Sequence, residues 1–562
     1  MSYLVFDSET ETHHSHKRKA NPFDPRNYVV LRGWKAEGDA CASAERFEGK
    51  TPDNYLRIPE NITVLVGHNI KFDMLYEMAN NNPDLKAFFK RGGRVWCTQY
   101  AEYLLNGASQ KYHMCAMDDI IESYGGRKKV DGIKALWEAG YLTSSIDPDL
   151  LLDYLIGTEE EGRNSGDIGN TELIYLGQVE AAETLGMTAA IRVRMDGLCA
   201  TTDMEFNGLK IDMHRAKANL QKLTERHEEV KAELAEYTST IPEEVQFNWN
   251  SRTHVSCLLY GGTIKYEKPA PYVDEETGEL ARKWETRTEW LLTSGETTTE
   301  DPSDPSSNQD NYVKYLSGKK KGEYKTKQVR FRGEIKTKIQ PFYYELPGFT
   351  TPDKDTVGEP SSVTDGKGGP TYSTSGEVID KLRSRGIPFL TALAKNQDLN
   401  KEIGTYYIRY DEKKKAHVGM LTCVQPHDWM LHHSLNHTST VTTRLSSTNP
   451  NGQNLTRADY DASTGEYKSE VKSVFVSRFG DDGEMIEADY SQLEVVVLGL
   501  LSLDKNLCQD LRDRIDFHCK RVALKHGITY EEAVARCKDE NHPEYSTWKK
   551  ERTSAKTFSF QR

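Results

Sequence analysis

The chain has 562 residues with 73 Lys+Arg against 86 Asp+Glu, a formal net charge of −13. At roughly 100–200 residues per domain, that length predicts three to five units, and the acidic balance excludes a protein that coats nucleic acid indiscriminately while leaving room for a local basic track. No apolar run reaches the roughly 18 residues of a membrane span, no signal peptide opens the chain, and nine cysteines without a Cys-x-x-Cys pair argue against zinc ribbons and disulfide frameworks. A cytoplasmic protein with no membrane partner is expected.

Tyr3-Leu4-Val5-Phe6 reads as a short strand feeding Asp7-Ser8-Glu9, which sets both acids on one strand face because side chains alternate. A second strand, Ile62 to Val66, leads into Gly67-His68-Asn69-Ile70-Lys71-Phe72-Asp73, a third acid at the head of a helical pattern. Oxygen ligands of this kind suit two magnesium or manganese ions, one activating water and one stabilising a departing sugar oxygen. Further on, His214 to Tyr237 is a long charged helix, and Gly261 to about Pro370 is an insertion rich in Thr, Ser, Gly, Pro and charge. Short strands are predicted within it between Tyr324 and Leu346. Tyr312 to Lys338 is a basic track with interleaved aromatics, either a phosphate-contacting surface or a solvated ribbon. Ser373 or Ser375 is placed to cap a following helix, and a helical pattern runs through Asp398 and Thr405. Thr443 to Asn454 is a polar run containing Arg444, Ser446, Asn451, Gln453 and Asn454. Met485 to Tyr490 reads as a strand delivering Asp489 to a corner, with Leu493 to Leu501 as a buried helix behind it. Arg552, Lys556 and Phe560 then recur at helical spacing on one face.

Asp489-Tyr490-Ser491-Gln492-x-Glu494 resembles motif A of family A DNA polymerases, and Arg552-x-x-x-Lys556-x-x-x-Phe560 resembles the start of their motif B. Asp7-x-Glu9, His68-Asn69-x-x-x-Asp73 and the region Val95 to Leu104 resemble the proofreading 3′→5′ exonuclease of the DEDD group. The resemblance implies an α/β chain: an RNase-H-like 3′→5′ exonuclease domain (1–190), a helical thumb-like region with a phage-type insertion at about 261–370 (191–430), and a partial palm and fingers of a right-hand polymerase (431–562). Its third exonuclease motif, Tyr-x-x-x-Asp, falls on Tyr175-x-x-x-Val179, where valine replaces the acid and Glu180 or Glu183 is the nearest substitute. The tyrosine would orient the attacking water.

For the polymerase half, the resemblance assigns Asp489 and the Tyr490 carbonyl to two metal ions, Glu494 to exclusion of a ribose 2′-hydroxyl, and His518 to the β-phosphate. Lys556 would meet the α-phosphate as general acid, Arg552 the γ-phosphate, and Phe560 the nucleotide face, with Ser491 and Gln492 beside them. Arg444, Ser446, Asn451, Gln453 and Asn454 would hold the template–primer. The implied cofactors are Mg2+ or Mn2+, two per site, and the implied partners are template–primer DNA and dNTPs. The chain stops inside the motif B helix, before the family's second metal-binding carboxylate. Either a second polypeptide carries the rest of fingers and palm, or the chain is a fragment of a gene interrupted inside motif B; the location is the host cytoplasm if the chain is phage-encoded. Alternatives from other classes are a free-standing exonuclease and a non-catalytic DNA-binding subunit.

Overall fold

The computed structural model describes residues 2–128, 132–383, 385–456, 460, 461, 466, 467, 469–539 and 542–560, with side chains for all but 460, 461, 466, 467, 546 and 558–560. The chain divides into two units, one up to Gly480 and one from Asp481 onward.

The first unit opens with β1 (Tyr3–Thr10), β2 (Val29–Ala36), β3 (Ser43–Arg46), β4 (Val64–Gly67) and β5 (Arg94–Cys97), in the sheet order β3-β2-β1-β4-β5. β1 runs antiparallel to β2 and parallel to β4, and β4 is parallel to β5. β1 and β4 read as near-continuous apolar runs because they are central and covered on both faces. Val5, Phe6, Leu65 and Val66 are fully buried, each contributing about 1.5–3 kcal/mol of transfer free energy. Gly67 ends β4 where a Cβ would stand 2.9 Å from Ile70 and 3.2 Å from the Phe6 carbonyl, so only glycine lets the chain turn there. The turn delivers α1 (Lys71–Ala79). Then follow α2 (Pro148–Ile156), α3 (Gly166–Thr184), which packs across β1 and β4, and α4 (Thr188–Asn207).

β6 (Leu209–Ile211) leads to α5 (Met213–Tyr237), capped by the Asp212 carboxylate, which accepts from Arg215 N at 2.9 Å. Ala216, Leu223, Val230 and Leu234 recur along its buried side and meet α7 (Leu390–Tyr406), with α6 (Arg252–Tyr260) between them in sequence. The insertion forms two ribbons in series rather than short strands. β7 (Gly262–Pro271) pairs with β10 (Thr337–Leu346), and β8 (Arg282–Leu291) pairs with β9 (Thr326–Ile335). At about 3.3 Å per residue each ribbon is ~33 Å long.

β11 (Met430–Leu431) and β14 (Phe475–Val476) both pair with β6, and a hairpin of β12 (Ser434–Asn436) and β13 (Ser446–Thr448) follows β11. The expected break near residue 430 is therefore not where the chain divides, because this small sheet ties 430–476 to β6. A second tie is Glu205 on α4, whose side chain is 1% exposed and pairs with Arg18 at 3.0 Å and Lys71 at 2.7 Å. Arg18 and Lys71 also donate to Ser434 Oγ and the Leu435 carbonyl. One buried carboxylate thus holds the head of α1 against the hairpin.

In the second unit α8 (Leu493–Ser502) precedes a helix over Lys505–Arg512, and α9 (Phe517–His526), α10 (Tyr530–Lys538) and α11 (Tyr545–Phe560) pack mutually around Cys519, Val522 and Cys537. Two expectations fail here. Residues 483–490 form no strand, and α8 is not buried: Leu498, Leu500 and Leu501 are 52%, 68% and 80% exposed. A lone extended segment has no ladder to join, and apolar periodicity states what a helix could bury, not that a neighbour is present.

Candidate functional site

Asp7 and Glu9 project from the same face of β1, as alternation requires. A third acid joins them: carboxylate oxygens of Asp7, Glu9 and Asp167 lie within 4.8 Å of one another. Asp167 stands in the first turn of α3 and is 4% exposed. Its place depends on Gly166, which takes φ +61° and where a Cβ would stand 2.6 Å from Gly157 N and 2.8 Å from the Leu155 carbonyl oxygen, so that glycine lets α3 start directly over the end of α2. Asp73, 2% exposed in the first turn of α1, faces the same cluster. Burial, then the charges of Asp7 and Glu9, push its carboxyl well above the ordinary range. Its Oδ1 is buried without a hydrogen-bond partner. Asp7, Glu9 and Asp167, with the buried Asp73 beside Asp7 and Glu9 and carrying an unmet oxygen, make a donor set suited to hard divalent cations.

Tyr175 and Val179 lie elsewhere. The Tyr175 ring packs edge-on to Tyr3 at 5.1 Å and to Trp96 at 5.7 Å, and Tyr3 is four residues, ~13 Å, up β1 from Asp7. Both residues line a cavity of about 290 Å3 at that end of the sheet, with Arg94 and Arg192. Burial pushes the Tyr175 hydroxyl up to about 12. The assignment of Tyr175 to the acid cluster is corrected: two turns of α3 separate it from Asp167. Glu180 and Glu183 are exposed. The four-residue spacing sought from a tyrosine occurs as Arg163-x-x-x-Asp167, so a reading anchored on the acid instead of the tyrosine would have reached it. His68, from the second motif, turns away to Thr98 Oγ1 at 2.9 Å and the Cys115 carbonyl at 3.1 Å.

The polar run after β12 is a surface turn. Arg444, Asn451, Gln453 and Asn454 are exposed and Ser446 is half-buried on β13. Asn451 caps a short helical turn by accepting from Gln453 N at 3.1 Å, and Ser447 ties the turn by donating to the Pro450 carbonyl at 2.9 Å and accepting from Gly452 N at 3.1 Å. The Tyr406 hydroxyl donates to the Asn454 carbonyl.

In the second unit Asp489, Tyr490, Ser491 and Glu494 are all exposed. Gln492 links them to the helices: its Oε1 accepts from Phe517 N at 2.9 Å and its Nε2 donates to the Ile515 carbonyl at 3.2 Å. Asp516, which the sequence reading left without a role of its own, organises the rest. It caps α9 through His518 N and Cys519 N and pairs with Arg552 at 2.7 Å and Lys538 at 2.9 Å. Burial pushes its carboxyl up, but the Arg552 and Lys538 cations outweigh that and hold it well below the carboxylate range. His518 is 3% exposed, with its pKa lowered by burial and by the charges of Arg552 and Lys556. Arg552, Lys556 and His518 therefore converge, with Arg552 already committed to Asp516. The side chain of Phe560 lies outside the described residues, as does Arg562.

Residues 355–561 match the sequence model of the family described as DNA polymerase family A. Among curated proteins, the chain is 35% identical over 115 residues to the DNA polymerase of Bacillus phage SP01, covering 20% of this chain and 12% of that protein. It is 30% identical over 161 residues to DNA polymerase I of Treponema pallidum (29% and 14%) and 30% over 153 residues to that of Bacillus subtilis (26% and 15%). These matches span about one seventh of the relatives' length. Among solved structures, "POL domain of Pol1 from M. smegmatis complex with DNA primer-template and dNTP" aligns with 100% of this chain and 67% of that chain, at TM-score 0.50 and 15% identity. The fold is thus mixed α/β and similar to that of the Pol1 POL domain, and the C-terminal part of the chain is similar in sequence to family A. No helix among the described residues is long and apolar enough to cross a membrane.

Proposed function

We propose that this chain acts on DNA 3′ ends, as part of a phage-type family A DNA polymerase whose N-terminal RNase-H-like domain hydrolyses the terminal phosphodiester in the 3′→5′ direction. The acid cluster of Asp7, Glu9, Asp167 and Asp73 carries the hydrolytic half. These four residues would hold divalent cations, Mg2+ or Mn2+, which when bound supply an activated water and a positive charge for the departing sugar oxygen. The chain's own residues draw the acids together from β1, α1 and α3, keep Asp73 dry, and leave Asp7 accessible from solvent. Sheet order β3-β2-β1-β4-β5, with parallel β1, β4 and β5, supports the RNase-H-like reading.

The polymerising half rests on the ordered residues Asp489 to Glu494, His518, Arg552, Lys556 and Phe560, within the stretch that matches family A. In this reading Arg552 is handed from Asp516 to the nucleotide's γ-phosphate, and Lys556, exposed beside His518, meets the α-phosphate. The turn from Arg444 to Asn454 contacts the template–primer. In this reading Asp489 and the Tyr490 carbonyl would hold the divalent cations of the polymerising site, and a second polypeptide is the proposed source of a companion carboxylate.

The test uses the purified chain, 5′-labelled single strands and a labelled primer–template with dNTPs, with Mg2+ or Mn2+. Stepwise shortening that Asp7→Ala abolishes supports the hydrolytic site; undiminished shortening in Asp7→Ala overturns it. Primer extension is expected only when the complementary polypeptide is added and is lost in Asp489→Ala, whereas robust extension by the chain alone overturns the need for a partner.

A further inference from the structure

The distal ribbon of the insertion has two unlike faces. Its register sets Thr326 opposite Trp290, Gln328 opposite Thr288, Arg330 opposite Thr286 and Arg332 opposite Trp284. Since side chains alternate, these eight residues share one face. None of these eight is an acid, although the chain as a whole is strongly acidic, and all but the half-buried Trp290 are exposed; Glu334, next on the strand, lies past the register shift that follows Arg332 and pairs with Lys283 at 3.2 Å. Within the register the acids are on the other side. There Glu285 and Glu289 sit with Arg287, which is 2.6 Å from Glu289 and stacks on Phe331 at 4.8 Å.

The two arginines are held in place. Trp284 is 52% exposed, and the guanidinium carbons of Arg330 and Arg332 lie 5.2 and 4.4 Å from its ring centroids. Stacking on the ring restricts side chains that would otherwise lose rotamer freedom on binding, and leaves the fork of N–H donors that suits phosphate. Two residues apart on one strand face, they stand ~6.7 Å from each other. That spacing meets successive charges along a polyanion better than one small anion. Thr286, Thr288 and Gln328 add neutral donors between them. Towards the tip, Trp290 meets Tyr324 at 6.4 Å and Lys314 lies 4.5 Å from the Tyr324 ring, so cations and aromatics continue beyond the paired strands.

We propose that this face of the β8–β9 ribbon grips the phosphate backbone of a DNA strand without regard to sequence, a role that rests on the reading of the chain as a DNA enzyme. Phosphate contacts position a protein but carry no base information, and each one adds to the salt dependence of binding.

The test measures anisotropy of fluorescein-labelled oligo(dT) and of a labelled primer–template with the full chain across a salt series. R330E/R332E is expected to weaken binding at least about tenfold at low salt and to make the slope of log K against log[salt] shallower by about 1.4–1.8, the share of two phosphates. R330Q/R332Q, which keeps uncharged polar side chains on an exposed face, is expected to shift both in the same direction by less. If both variants match wild type while Arg444→Ala still weakens primer–template binding, the ribbon assignment is overturned and the DNA reading stands. A wild-type chain that binds neither probe overturns both. Displacement of the probe by poly-glutamate as effectively as by unlabelled oligo(dT) reassigns the face to an acidic polypeptide.

Discussion

Asp73 and Asp489 are both aspartates a few residues from the end of an apolar stretch and close to the head of a helix, yet the molecule treats them oppositely. Asp73 is 2% exposed, and burial, Asp7 and Glu9 raise its pKa. Asp489 lies exposed on an irregular segment, tied to the helices behind it through Gln492. The first site is assembled by the fold, which spends stability to bring like charges together. The second is a motif carried on an exposed, irregular segment. A carboxylate's chemistry thus follows from what the tertiary structure places around it, and motif quality in the sequence is a poor guide: the cleaner motif sits in the less developed site.

The largest expected difference lies in activity. Asp167→Ala should lower metal-dependent 3′→5′ hydrolysis by about 100-fold or more, since losing even an outer-shell partner of a metal ligand costs about 10–100-fold, whereas Val179→Asp, at the far end of the sheet, should raise nothing. Single-strand digestion rates for the two variants decide between them; equal rates in Asp167→Ala and wild type would break the contrast.

Stability should move the other way. In metal-free buffer at pH 7, Asp73→Asn is expected to raise stability by about 1–3 kcal/mol, because it removes an ionisable group whose charged form is buried and repelled. Asp489→Asn should stay within about 0.5 kcal/mol. Denaturant melts of both variants measure the difference, and a destabilised Asp73→Asn would mean the acid cluster is not under electrostatic strain.

Acid should loosen the first unit at the Glu205 tie. Burial lowers His432 and His437 from 6.5 to about 4. Groups with depressed pKa that are neutral when folded leave their stability intact above pH 6.5, and it is lost as pH falls from 6.5 towards 4, at about 1.4 kcal/mol per histidine per pH unit. Asp516 titrates lower: its contribution is present above 3.8 and is lost only below that. His518 shifts in the same direction as the other histidines, so the second unit loses some stability too. Hydrogen exchange at pH 7 and pH 5 should show β12 and the head of α1 losing more protection than α9; a uniform loss would remove the distinction.

The smallest effect concerns the link behind Asp489. Gln492→Ala deletes two hydrogen bonds and leaves Phe517 N–H and the Ile515 carbonyl unmet, at a cost of about 1 kcal/mol each at most. Melting of the isolated second unit is not required: exchange at Phe517 in the full chain should accelerate, and an unchanged rate would show that the link does not hold α9.

Local chemistry made several pieces legible. Asp7 and Glu9 share a face because strands alternate, α5 appears within a residue of its expected span because apolar positions recur at helical spacing, and His518, Arg552 and Lys556 lie together because helix periodicity aligns the cations. What could not be read was partnership across the chain. Asp167 enters the cluster because α3 starts where Gly166 can pass the end of α2. Tyr175 leaves it because two further turns carry it to the far end of β1. Residues 483–490 matched a strand pattern and α8 matched a buried helix, but neither finds the neighbour its pattern calls for.

Composition, alternation and spacing operate over a few residues and need only the chain's own geometry, and so they reached β1 with Asp7 and Glu9 on one face, the helix α5 and the helical spacing of Arg552 and Lys556. Which acids meet, which arginines stack on Trp284, and how Glu205 binds the head of α1 to a hairpin some 230 residues later were decided only by packing. Those contacts depend on long-range closure of the chain, and no local pattern encodes which distant segment will arrive.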